Sequence, residues 1–103
     1  MEQYDVKITV VKRLSVKDVF GSSPPKISPD LGLCPRLKEG DTFIVEKGAC
    51  PQGFCGTAFA DIQQYITHLR FNGSFPWMEE KGVAYPCCTD GLRPVIFRLE
   101  RIG

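Results

Sequence analysis

No stretch of this 103-residue sequence is apolar for long enough to cross a bilayer, and its longest apolar runs are strand-sized. The N-terminus, Met1-Glu2-Gln3-Tyr4-Asp5, has neither the basic start nor the apolar middle of a secretory leader, so the cytoplasm is the expected compartment. Charge is balanced, 13 basic against 12 acidic residues for a net +1. That balance supplies no global field for nucleic acid or an anionic membrane, and neither partner is expected. Histidine is limited to His68, so any metal would find at most one imidazole ligand. There is no Cys-x-x-Cys pair of a zinc knuckle or thioredoxin-like site. A phosphate-cradling glycine loop, a Gly-x-Ser-x-Gly elbow and a His-Glu-x-x-His helix are also missing, as are internal repeats.

What the chain does have is five cysteines, in an otherwise ordinary composition of 43% hydrophobic and 24% charged residues. Its length suits a single domain over residues 1–103. An odd number of thiols in a reducing compartment disfavours a disulfide framework. Metal ligation, redox chemistry and plain burial remain.

Val6, Ile8 and Val10 alternate with Lys7 and Thr9, which predicts a half-buried strand over about residues 4–14. Ser15 can cap a short helix over Val16–Phe20, stopped by Gly21. A long Ser/Pro segment follows, and Thr42–Glu46 reads as a second strand with Phe43 and Val45 on one face. Thr57 is an acceptable N-cap for a helix from Ala58 to about Phe71, with Asn72-Gly73 as its stop. Ala58, Ile62, Tyr65, Ile66 and Leu69 form its apolar stripe, while Asp61, Gln64 and His68 share a flank. Two further strands, about 83–89 and 94–102, flank Asp90-Gly91, a strong hairpin signal. The expected fold is α+β: a small antiparallel sheet of about four strands, able to curl towards an open barrel, with one main helix packed on it. Phe75 and Trp77 are expected to plug the core, since large aromatics dominate burial.

Chemistry is expected where cysteines fall in loops or beside turns. Cys34, Cys55, Cys87 and Cys88 are the candidate metal ligands or redox groups, zinc or iron being the metals that suit thiolates. A Cys87–Cys88 bridge would be strained, because consecutive Cα atoms lie about 3.8 Å apart. In a strand the two point to opposite faces. A one-residue bulge beside Gly91 would set Cys87 opposite Val95, and so place Cys87 on the core face and Cys88 on the other. Asp61, His68, Asp90 and Arg93 form a second candidate set, lining a ligand pocket at the helix–hairpin junction. The plainer readings are a turn-initiating Asp90, a solvated Arg93 and a surface His68.

Several pieces taken together carry a resemblance: Cys34-Pro35 with Lys38-Glu39-Gly40-Asp41-x-Phe43, Gly53-Phe54-Cys55, Ala60-Asp61-Ile62, Arg70-Phe71-x-Gly73-x-Phe75-Pro76-Trp77-Met78, and Cys87-Cys88-Thr89-Asp90-Gly91-x-Arg93-Pro94-Val95-x-Phe97. The chain resembles a family of short bacterial and archaeal proteins to which no function is attached, and the likeness covers nearly its whole length. It implies no reaction, cofactor or partner. Cys50 lies outside the pattern, which makes it the weakest candidate for a shared site.

Three functions follow as expectations. The first is a cysteine-based metal-binding or redox-responsive domain working through Cys34, Cys55 and one of Cys87 or Cys88. The second is a small-molecule-binding or catalytic domain built around Asp61, His68, Asp90 and Arg93. The third is a structural or interaction module with buried cysteines. Homo-oligomerisation and a small-molecule ligand are both compatible with the sequence.

Overall fold

The alternation at Val6, Ile8 and Val10 does produce a strand, β1 (Asp5–Arg13), with those three side chains buried. The computed structural model describes residues 2–28 and 31–103. After β1 comes α1 (Val16–Phe20), held by a capping box: the Ser15 hydroxyl accepts the Asp18 N–H and the Asp18 carboxylate accepts the Ser15 N–H. Then follow β2 (Thr42–Val45), α2 (Gly56–Arg70), β3 (Val83–Ala84) and β4 (Val95–Ile102). Among the described residues the four strands form one antiparallel sheet in the order β2-β1-β4-β3, with α2 as the main helix, an α+β architecture. The sheet is open and does not close into a barrel. A bulge at Val11 breaks the β1–β4 register and turns that side chain out.

The core lies between the sheet and α2. Val6, Ile8 and Val10 from β1, Val45 from β2, and Val95, Phe97 and Leu99 from β4 meet Ala58, Phe59, Ile62, Ile66 and Leu69 from α2. Phe54, just before the helix, fills one end, its ring centroid 5.0 Å from that of Phe43 and 5.4 Å from that of Phe97. The helix ends in a Schellman motif: the Gly73 N–H donates to the His68 carbonyl and the Asn72 N–H to that of Leu69, with Asn72 at φ 70°.

Three expectations need correction. The helix begins at Gly56, not Ala58, and its N-cap is Cys55, which makes no side-chain cap bond. The Phe59 N–H donating to the Cys55 carbonyl closes that earlier first turn, and Phe59 joins the buried face. Trp77 does not plug the core. It is 71% exposed, stacked on Phe75, which itself lies against Tyr65 and His68 on the flank of α2. The third concerns the hairpin. Ala84 stands opposite Leu99 and Cys87 bridges Ile96, so Cys88 stands opposite Val95. Pairing is one residue out of step with the bulged loop expected at Gly91, and one step exchanges the faces. Cys88 therefore packs against the core and Cys87 is exposed, the reverse of the expectation. The cause is local: Asp90 takes the Leu92 N–H on its own carboxylate, and Pro94 has no N–H to give, so the ladder resumes only at Val95.

No helix among the described residues is long and apolar enough to cross a membrane.

Candidate functional site

Three cysteines distant in sequence arrive at one place. The segment Cys34–Leu37, the first turns of α2, the connection after β3 and the start of β4 surround a cleft of about 430 Å³. Cys34, Cys55 and Cys88 all line it, together with Asp61, Asp90 and Arg93. Leu37, Ala58, Val95 and Phe97 supply apolar wall, and Arg36, Thr57 and Thr89 add polar groups. Ligand sites are commonly concave spaces of about 300–1,000 Å³, mostly apolar with a few placed polar groups, and this cleft has that character.

Each thiol is brought there by a specific local cause. Arg13, at the end of β1, bonds the Glu39 carboxylate through Nε at 3.0 Å and its backbone N–H at 2.9 Å. Its Nη1 donates at 3.0 Å to the Cys34 carbonyl, which pins the Cys34 loop beside the sheet. Cys55 is positioned as the N-cap of α2. Cys88 is fixed by the ladder: its N–H donates to the Val95 carbonyl at 3.1 Å, and the Val95 N–H donates to its Sγ at 3.2 Å. All three thiols are half-buried and packed against the core.

Asp61 closes the site from the helix side. Its Oδ2 accepts both the Thr89 N–H at 2.9 Å and the Thr89 hydroxyl at 3.0 Å, tying the hairpin end to α2. Asp90 accepts the Leu92 N–H at 3.0 Å and lies 3.6 Å from Arg93 Nε. Thus Asp61, Asp90 and Arg93, three of the four residues of that candidate set, line the cleft. His68 stands apart, near the C-terminal end of α2, with Nε2 2.9 Å from the Ser74 carbonyl oxygen. Cys87 is exposed on the other face of the hairpin. Cys50, also exposed, borders a separate shallow depression, where its thiol donates to the Pro51 carbonyl. Among the described residues, no three His, Cys, Asp or Glu side chains are grouped so as to hold a metal ion.

No family model, curated protein or solved structure matches this chain. The site therefore rests on its geometry alone.

Arg36, Thr57 and Thr89 were not singled out as cleft residues from sequence. Thr57 carried a signal, since its position at the helix start put it next to Cys55, but it read as a cap. Arg13 gave none, because its link to the Cys34 loop spans 21 residues and depends on the fold.

Proposed function

We propose that this protein is a cysteine-based, redox-responsive domain whose working part is the thiol-lined cleft at the start of α2. The carrying observation is the convergence of Cys34, Cys55 and Cys88, from three separate segments, on one concave surface. Thiols sealed in a core are inert, whereas thiols in a partly open site meet small oxidants and disulfides. Half-burial against the core holds these three in position while leaving them reachable.

A second reading is binding of a small molecule in the same cleft, and Asp61, Asp90 and Arg93 at its wall favour it. A third is a thiolate-bound metal such as zinc or iron. Three thiols are a suitable soft donor set, although as placed they do not form a closed ligand group.

Thiol counting separates these. Treatment with dilute hydrogen peroxide should remove Cys34, Cys55 and Cys88 from the native thiol count, and dithiothreitol should restore them. Cleft thiols that stay free while Cys50 and Cys87 oxidise would overturn the redox reading. One zinc or iron per chain in purified, unsupplemented protein, by elemental analysis, would put the metal reading in its place.

A further inference from the structure

The three cleft thiols are not equivalent. Resting on the redox reading of the cleft, we propose that Cys88 is the thiol that reacts and that its co-reactant is a small anionic disulfide.

Cys88 is the one whose sulfur is held by a backbone donor, the Val95 N–H at 3.2 Å. That bond holds the Cys88 sulfur in place at the hairpin end. Among the described residues, neither Cys34 nor Cys55 has a donor on its sulfur. The main chain around Cys88 is clamped on both sides, to β4 through Val95 and to α2 through Thr89 and Asp61. A fixed sulfur facing a cavity gains from proximity once a reagent binds there.

The charge of the reagent follows from what is already paired. Asp90 is offset by Arg93, whereas Asp61 keeps its charge on the helix side, where it accepts the two neutral Thr89 donors. Arg36 has no partner among the described residues and lines the same cleft. A carboxylate on the reagent can pair with it while the sulfur–sulfur bond lies along Val95 and Phe97.

The exchange balances without a further oxidant. The Cys88 thiolate attacks one sulfur of the reagent, the reagent's S–S bond breaks as the new one forms, and the expelled thiolate takes up the proton that Cys88 released. Cys87 does not resolve the mixed disulfide. Cys87 is adjacent in sequence and faces the other way, so a bridge between them would be strained.

The test exposes the native chain to 3,3′-dithiodipropionate, a dianion, or to cystamine, a dication, and follows each thiol by peptide mass spectrometry. Cys88 should be modified by the dianion about tenfold faster than Cys50 or Cys87, the gain coming from proximity. Cystamine should show no such preference, and Arg36→Gln should slow the dianion at Cys88 without slowing cystamine. Faster modification of Cys50 or Cys87 by the dianion, or equal rates for both reagents at Cys88, overturns the proposal. Modification first at Cys34 or Cys55 sinks the assignment to Cys88 but leaves the redox cleft standing. If no cleft thiol reacts, both fall.

Discussion

Asp61 and Thr89 form the contact on which the cleft's shape depends most directly. One carboxylate oxygen holds both donors of Thr89, so Asp61→Ala frees the hairpin end from the helix and leaves a backbone N–H without its partner. A loss of about 0.5–1.5 kcal/mol in stability is expected, since Thr89 is exposed and water can take up its freed donors. The Thr89 amide should also exchange faster with solvent, which hydrogen-exchange mass spectrometry reads directly. Unchanged exchange at Thr89 would mean the contact does not persist in solution. A second residue-scale expectation concerns packing. Leu69 is 0% exposed, so Leu69→Ala should cost about 2–5 kcal/mol. Gln64 is exposed, and Gln64→Ala should stay within about 0.5 kcal/mol by denaturant midpoint. The position of Leu69 was readable from helical periodicity alone. The role of Asp61 was readable only as a place on a flank, because its partner lies 28 residues away.

At the scale of elements, the features visible in the sequence are those decided within a few residues. The Ser15 cap, the α1 stop at Gly21 and the end of α2 at Asn72-Gly73 all depend on nearest neighbours, and they form where expected, with Asp18 completing the Ser15 cap as a box. The hairpin register does not. It hangs on how many residues the connection takes, and one residue decides whether Cys87 or Cys88 faces the core. The observed register makes Cys50 and Cys87 the first thiols tagged by a bulky maleimide, with Cys34, Cys55 and Cys88 behind them. Labelling of Cys88 ahead of Cys87 by that reagent would restore the alternative register. The capping box also sets a pH dependence. The Ser15 backbone N–H, and then its hydroxyl, hold the Asp18 carboxyl below its usual range, and the Arg98 guanidinium does the same for Glu80 through its hydrogen bond and then its charge. A carboxyl lowered in the folded state binds its proton less readily than in the unfolded chain. Its contribution is therefore present above the ordinary carboxylate range, around pH 4, and is lost as pH falls through the lowered folded value. Stability should decline on acidification below about pH 4, and Glu80→Gln should flatten part of that decline. A denaturant midpoint indifferent to pH in that window would remove both contributions.

For the whole molecule, the cleft is a product of topology. Cys34 is carried in by the Arg13 contact, Cys55 by the start of α2 and Cys88 by the β3–β4 register, and none of these is local to the other two. That is why Cys34, Cys55 and one of Cys87 or Cys88 could be named from sequence with Cys50 set aside, while their meeting in one cleft and the choice of Cys88 over Cys87 could not. Trp77 shows the same limit from the other side: its size argued for burial, but the chain after α2 runs along the helix flank and leaves the ring in solvent. The most direct measurement of the shared cleft is cross-protection among the thiols. Alkylation rates at each cysteine are taken by peptide mass spectrometry in a Cys50→Ser/Cys87→Ser chain, before and after Cys88 carries a bulky mixed disulfide. If one cleft of about 430 Å³ holds all three, the group on Cys88 fills much of it, and the rates at Cys34 and Cys55 fall together. Rates at Cys34 and Cys55 that do not change when Cys88 is occupied would contradict a common site.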